Sequence, residues 1–577
     1  MVKQVLGNQR KSSANKKRDL INLSLLIIAI VLLNFVGNYF FFRLDLTSEK
    51  RFTLTPSSKE LAKSLNDVVT VKVYLEGDFP GAPGFKRLRN STKELLDEFR
   101  AIAGDNIEYE FIDPNSFKDN KQKQQLFEQL VKTGIQPTNL EIKGDKGTSQ
   151  QIIFPGAVVS YMGREVTWPL LKTQMGVNPE EQLNNSVQGL EYELVNAIRK
   201  LKKGIKPQIA FLQGQHELDS LHTLDLSNAL GEFYEVRQIE IDQKLKALEG
   251  IKCLIVAHPD SAFNEKDKFI IDQFIMKGGN VLWLANPIQL SYDSLRKGAT
   301  TFGVENPLNI SDQLFAYGVR MNLNLIQDLQ CSAIPVNKAL MGEKPRFELT
   351  NWVFSPLVIS TENHPIVKNL DLIKFDFVSS IDTIGTSGIK KTILLHSSKY
   401  TKLVNAPVRI NLGMVNIRPD ERQYRKGFQP VAVLLEGEFN SVYTNRIPPS
   451  IARDSAIGFK PKGKAAKMIV VADGNLARNS FDKNGQALPL GYDIYTRRTF
   501  GNKDFLLNCV NYLCDDSGLM TARLREVKLR MLNKKKIVNE RLYWQAVNVL
   551  GPLGLIAIMG LAINYLRKKK YSKVLVK

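Results

Sequence analysis

The sequence predicts an α/β, two-span membrane protein whose large extracytoplasmic region is built from open α/β domains. Three observations carry that prediction: an uncharged apolar segment near each end, a basic excess gathered beside those segments, and strands alternating with helices through much of the chain between them.

The first apolar segment runs from Leu20 to Phe42 (LINLSLLIIAIVLLNFVGNYFFF) and the second from Trp544 to Leu566 (WQAVNVLGPLGLIAIMGLAINYL). At a rise of about 1.5 Å per residue, each reaches roughly 35 Å as a helix, enough for a hydrocarbon core of about 30 Å. Core helices of soluble proteins interrupt such runs sooner and keep a polar stripe. A cleaved signal peptide would offer small residues where this run ends in NYFFFRLDL, so an uncleaved anchor is expected. Tyr39, Tyr543, Trp544 and Tyr565 suit the interfacial aromatic belt.

Charge sets the orientation. Residues 1–19 hold six Lys/Arg against one acid and residues 567–577 hold six against none, so both tails are predicted cytoplasmic and the body between the spans periplasmic. Residues 521–543 hold eight Lys/Arg against two acids on the outer side of the second span and run against this tendency. Net charges of +5, +6 and +6 in these three segments leave only +4 for the rest of a chain whose formal net charge is +21. The folded middle therefore lacks the basic groove of a nucleic-acid protein. Lipid phosphates or acidic partner surfaces fit the flanking charges, as does a role in fixing topology alone.

With 43% hydrophobic and 24% charged residues, the middle of the chain predicts two to four folded domains. Four cysteines are too few for a disulfide scaffold. Cys253 lies inside the strand-like run KCLIVAH, and Cys509 and Cys514 sit five apart in a helical segment, a spacing that does not stack them on one face. The sequence holds no CxxC and no Cys/His cluster with metal-ligand spacing, and no metal or cofactor is predicted.

After the first span, Thr55 as N-cap and Pro56 at the first helical position start a helix. VVTVKVYLEG (68–77) alternates as a strand, a Gly/Pro loop follows, and a helix is expected over 89–103. NIEYEFIDP is a second strand, residues 122–133 a helix, QIIFPGAVVSYM and REVTWPLL further strands, and 187–201 a helix closing this first domain. The second domain opens on KPQIAFLQGQHE, a buried strand with a helix over 220–231 behind it. EVRQIEID, CLIVAHP and, after a helix and a Gly-Gly turn, NVLWLANP add three strands, which predicts a doubly wound parallel sheet. Residues 300–460 lean towards β structure, and AKMIVVADGNLARN then returns a buried strand with a helix over 505–513. The expected division is a basic tail (1–19), a span (20–42), a first domain (43–205), a second domain (206–516) with a β-rich insertion at about 300–460, a basic juxtamembrane segment (517–543), a span (544–566) and a basic tail (567–577).

FLQGQHE, LIVAHP with DKFIIDQFIMKGGNVLWL, VVADGNLARN, NKDFLLNCVNYL with RLREVKLR, RLDLTSEKRFTLTPSSKEL and FIDPN together resemble the GldG family of gliding-motility-associated ABC transporter accessory proteins of the Bacteroidetes. The resemblance spans nearly the whole chain, specific as a set and weak piece by piece. It implies an inner-membrane subunit with a periplasmic body, working with a separate ABC permease and, through it, a cytoplasmic ATPase. It also implies that the central domain is similar to a module of intraflagellar-transport proteins, itself flavodoxin-like and class I glutamine-amidotransferase-like.

Catalysis of the amidotransferase or hydrolase kind needs a nucleophile on a tight elbow after a strand, with a histidine to activate it. GGNVLWLANPIQL supplies no Cys and no Gly-x-Ser-x-Gly elbow, and His258, His364 and His396 have no evident nucleophile. The chain also lacks GxxxxGK[ST], which excludes a P-loop ATPase. Binding stays open. Ligands of parallel sheets dock at the carboxyl ends of strands, here Gln213, Gly214, Gln215, His216 and Glu217 after one strand and Asp473, Gly474 and Asn475 after another. These same residues read equally as loop caps and solvated polar groups. Gly551, Gly554 and Gly560 in the second span are candidates for close approach of a permease helix, although none is at GxxxG spacing. The reading is a non-catalytic accessory subunit with no cofactor; a stand-alone envelope sugar- or peptide-binding protein and an amidotransferase-like or hydrolase enzyme are the alternatives.

Overall fold

The computed structural model describes residues 21–32, 53–524 and 539–572, apart from residues 80, 118, 145–146, 175–176, 203–205, 291–294, 296–297, 299, 340–343, 361, 387, 456 and 517. The chain divides into two compact units, residues 1–525 and residues 526–577. The basic tail 1–19, the second half of the first apolar segment, most of the basic stretch 521–543 and the last five residues of the chain lie outside the described residues.

Within the first unit, α1 (Ile21–Leu32) is a short apolar helix. Thr55 caps α2 (Pro56–Lys63), its hydroxyl accepting from the Ser58 N–H, as the Thr-Pro pair predicted. Glu191 then accepts from both the Thr55 N–H (2.7 Å) and its hydroxyl (2.9 Å), which ties this cap to a helix 136 residues away.

β1 (Val69–Val73), α3 (Pro83–Ala103), β2 (Ile107–Phe111), α4 (Asn120–Lys132), the hairpin β3 (Thr138–Gly144) and β4 (Gly147–Ile153), β5 (Gly156–Tyr161), β6 (Arg164–Pro169) and α5 (Pro179–Leu201) follow. Their four-stranded sheet has the order β2-β1-β5-β6, with only β1 and β2 parallel. Alternation sorts its two faces: Val69, Val71 and Val73 face the core shared with α3 and α5, and Tyr74 and Val158 face the small cluster with Leu126 and Leu130 of α4. Two helices start earlier than the apolar periodicity predicts. Pro83 opens α3 two turns sooner, and Asn178, accepting from the Glu181 N–H, caps α5 eight residues sooner.

The large sheet is built from β7 (Gln208–Gln213), α6 (Leu224–Gly231), β8 (Glu235–Glu240), β9 (Ile251–Ala257), α7 (Glu265–Met276) and β10 (Asn280–Leu284). After these come α8 (Ser311–Tyr317), β11 (Asn324–Asp328), β12 (Cys331–Asn337), β13 (Phe347–Val358), β14 (Ile389–His396), β15 (Thr401–Asn405), β16 (Pro430–Asn440), β17 (Lys462–Val471) and α9 (Asn502–Cys514). The sheet has seven strands in the order β14-β16-β17-β10-β9-β7-β8. The five from β17 to β8 are parallel, and β16 and β14 extend them antiparallel. Every residue of β10 is buried, as expected of a strand covered on both faces. The connections from β7 to β8 and from β9 to β10 run in opposite directions across the sheet, which under the general right-handedness of parallel crossovers puts α6 and α7 on opposite faces; α9 packs beside α6.

The insertion is less separate than its sequence predicts. Its strands β14 and β16 belong to the central sheet, where the buried run Val431 to Leu435 covers the flank of β17. The rest of the insertion holds its own small core around Trp352, Phe354 and Phe377.

The second unit contains α10 (Arg541–Ser572), whose stretch Arg541–Lys569 is apolar and long enough to cross a membrane, with a mean hydropathy of 2.1 over its most apolar window. Pro552 lies inside it.

Candidate functional site

At the carboxyl edge of the parallel sheet, constrained backbone and buried polar side chains occur together. After β7, Gly214 adopts φ 123° and His216 a left-handed φ of 55°, a conformation that favours glycine. The turn is closed by its own side chains. Gln213 Nε2 donates to the Leu218 carbonyl (3.1 Å), and Glu217 Oε2 accepts from the Gln215 N–H (2.7 Å). The Gln215 carbonyl accepts from Asp260 and Ser261, which joins this turn to the loop after β9. Gln215 and Glu217 are buried, and His216 is exposed. Glu217 Oε1 is buried without a hydrogen-bond partner, and burial pushes its carboxyl above the ordinary range.

At the end of β9, His258 also has a left-handed φ, 57°, and its Nδ1 lies 3.2 Å from Asn286 Oδ1. Burial pushes this imidazole down, so its neutral form is favoured. Asn286 Oδ1 also accepts from the Gly474 N–H at 2.5 Å. The end of β17 is therefore pressed onto the end of β9: a Cβ on Gly474 would lie 2.6 Å from His258 Nδ1 and 2.7 Å from its Cα. Only glycine fits there.

Asp473, 1% exposed, precedes that glycine. Its carboxylate accepts from the N–H groups of Asp376 (3.0 Å) and Asn475 (2.9 Å). Burial, with the Asp376 carboxylate adding to it, outweighs those hydrogen bonds and pushes its pKa up to about 7. Asp473 and Asn475 line a polar cleft of about 220 Å³ together with Lys374, Asp376, Arg478, Tyr492 and Asp493. Lys374 Nζ lies 3.3 Å from Asp493 and 3.8 Å from Asp376. Burial opposes its charge, but the two carboxylates prevail and hold the ammonium above its ordinary range.

The residues predicted from strand ends thus fall into two places. Asp473 and Asn475 share the cleft; Gln213, Gly214, Gln215, His216 and Glu217 do not line it. β7 lies three strands from β17, roughly 14 Å at about 4.8 Å per strand, so one side chain cannot bridge the gap. Sequence reasoning missed Lys374, Asp376 and Asp493, whose one local signal is the alternation in IKFDF that places Lys374 and Asp376 on one side of an extended segment. It also missed a larger cleft of about 530 Å³ in the insertion, lined among others by Gln327, Cys331, Trp352, Lys402 and Tyr424. Gly551, Gly554 and Gly560 all lie on α10, with open space where a Cβ would stand.

The histidines have other partners. His222 bonds Asp219 (2.8 Å), His364 packs on Tyr512, and His396 Nδ1 lies 2.8 Å from the Ser397 carbonyl. Cys253 is fully buried within β9, and its thiol is pushed well above the ordinary range.

Residues 206–509, from the first strand of the large sheet into α9, match the family described as an ABC-type uncharacterized transport system. The chain belongs to this family. Membership makes it an auxiliary component of an ABC-type transport system. Residues 48–160 match a second family, described as a domain of unknown function. An uncharacterized protein of Borreliella burgdorferi is 21% identical over 572 residues, covering 96% of this chain and 99% of that protein. Among solved structures, the mmIFT52 N-terminal domain matches at 12% identity with a TM-score of 0.30, covering 53% of this chain and 96% of that one. At that score the likeness carries no weight for fold or function.

Proposed function

We propose that the chain is a non-catalytic accessory subunit of an ABC transport complex, anchored by both terminal apolar segments, with both tails cytoplasmic and its α/β body in the periplasm. There it meets a separate permease and, through it, a cytoplasmic ATPase. Membership of the transport-system family over residues 206–509 carries this reading, and the membrane-length apolar helix α10 supports it. A flavodoxin-like central domain is part of the proposal, supported by the parallel strand order β8-β7-β9-β10-β17, which is 2-1-3-4-5 in chain order. So is a division of the body near residue 205, since the two family matches, 48–160 and 206–509, fall on either side of it. Assignment to gliding motility rests on the resemblance of the quoted segments. The strand-end cleft with Asp473 and Asn475, and the Gln213–Glu217 turn, are the proposed contact positions for a ligand or a partner loop. Gly551, Gly554 and Gly560 are the proposed contacts with permease helices.

Affinity purification of the tagged full chain from native membranes in mild detergent tests the complex. The expected result is co-purification of a multi-span permease and an ATPase. Recovery of the chain alone from membranes that contain the permease would overturn it.

A further inference from the structure

Three of the four cysteines, one on β9 and two on α9 some 250 residues later in the chain, come together where the helix packs on the sheet. Cys253 is fully buried in β9; Cys514 ends α9 and is half-buried; Cys509 lies one and a half turns before it, fully buried. Contacts on either side pin Cys514 against Cys253. Asn280, the register partner of Cys253 on β10, donates through Nδ2 to the Leu513 carbonyl at 2.7 Å. Lys252, next to Cys253, reaches Asp516 at 2.5 Å. Tyr234, between α6 and β8, donates to Asn511, one turn before Cys514 on α9, at 2.8 Å. Within this frame Cys253 and Cys509 lie in the core of the sheet with Cys514 packed against it, and all three thiols are free. Among the described residues no trio of His, Cys, Asp or Glu is placed to hold a metal ion, so a thiol pair joining a strand to a helix reads as a cross-linking position.

We propose that Cys253 and Cys514 form a disulfide when the chain meets a disulfide oxidant, stapling the carboxyl end of α9 to the central sheet. The Cys514 thiolate, at the accessible end of the pair, attacks one sulfur of the oxidant and releases its other half as a thiolate. Cys253 then loses its proton to solvent and attacks the Cys514 sulfur of the mixed disulfide, expelling the second half. Two protein thiols are oxidised, the oxidant is reduced to two thiols, and the two protons lost by the cysteines are taken up by the leaving thiolates. The raised affinity of Cys253 for its proton makes the second step the slow one. Beyond α9, residues 519–524 pack on the first domain, with Leu519 in its main core. The staple therefore secures the last helix of the body before the membrane-directed end. That such an oxidant is met in the cell rests on the periplasmic placement proposed above; the chemistry of the pair does not.

The test uses the purified full-length chain in detergent, equilibrated with oxidised glutathione, then denatured, alkylated and digested without reductant for mass spectrometry. The expected product is one cross-linked peptide pair joining Cys253 to Cys514, with Cys331 and Cys509 alkylated. Oxidation is expected to raise the thermal unfolding midpoint of the native chain and of Cys331→Ser, but not of Cys514→Ser. Four alkylatable thiols after oxidation, glutathione held on Cys514 with no cross-link, or a bond joining any other pair would each overturn the proposal. Success in vitro with reduced thiols in chain taken from cells would instead count against the periplasmic placement.

Discussion

Asp473 has both carboxylate oxygens occupied by backbone N–H groups, yet its proton is held to about pH 7, because burial beside Asp376 costs the charged form more than two hydrogen bonds return. A shift of each pKa unit corresponds to about 1.4 kcal/mol between protonation states. The folded chain here keeps a proton that the unfolded chain gives up near the ordinary aspartate value. This residue therefore adds stability that is fully present below about pH 4 and is lost as pH rises towards 7. The expected outcome is a thermal midpoint that falls between pH 4 and pH 7 more steeply in the native chain than in Asp473→Asn. Equal slopes would show that Asp473 does not titrate there. Other buried acids, Asp272 and Glu217 among them, slope the same way, so the difference between the two chains carries the test.

At the scale of elements, what could be read from the sequence depended on how local each signal is. The cap of α2 was legible because both signals are local: Thr55 accepts from the Ser58 N–H three residues on, and Pro56 at the first helical position has no N–H to leave unsatisfied. β7, β9, β10 and β17 were legible because strands covered on both faces read as unbroken apolar runs. The run VAVLL of β16 carries the same signal, but sheet membership is decided by a non-local partner, and the residues around it read as an insertion. For the same reason half of the candidate cleft was hidden: Lys374, Asp376 and Asp493 reach Asp473 only through tertiary packing. The place of β16 in the sheet has a consequence. Its buried apolar residues, Val431 to Leu435 and Phe439, are worth about 1.5–3 kcal/mol for each larger side chain, comparable together with the roughly 5–15 kcal/mol that holds a domain folded. Excision of residues 300–460 is expected to abolish cooperative unfolding and protease resistance of the large sheet. A truncated chain that still melts cooperatively would make the insertion a separable module.

For the molecule as a whole, topology is the property on which the functional proposal depends most, and the charges flanking the second apolar segment pull it in two directions. Residues 567–577 carry a net +6 and favour a cytoplasmic carboxyl tail, while residues 521–543 carry the same net charge on the other side. The tendency is strongest for short flanks and weak for long translocated regions, so the tail is expected to prevail only if the first segment has already exported the body. Two measurements separate these cases. A chain ending at residue 538 should stay in the membrane pellet after alkaline carbonate extraction, held by the first segment alone; its release would leave α10 as the sole anchor. Cysteines introduced as Ser13→Cys and Ser572→Cys should be shielded from a membrane-impermeant maleimide in intact spheroplasts, while Lys483→Cys, exposed on the body, should react, with the native chain as the blank. Labelling of Ser572→Cys before permeabilisation would mean that the basic stretch before α10 governs its orientation. Labelling of Ser13→Cys and Ser572→Cys without Lys483→Cys would place the body in the cytoplasm, on the same side as the ATPase.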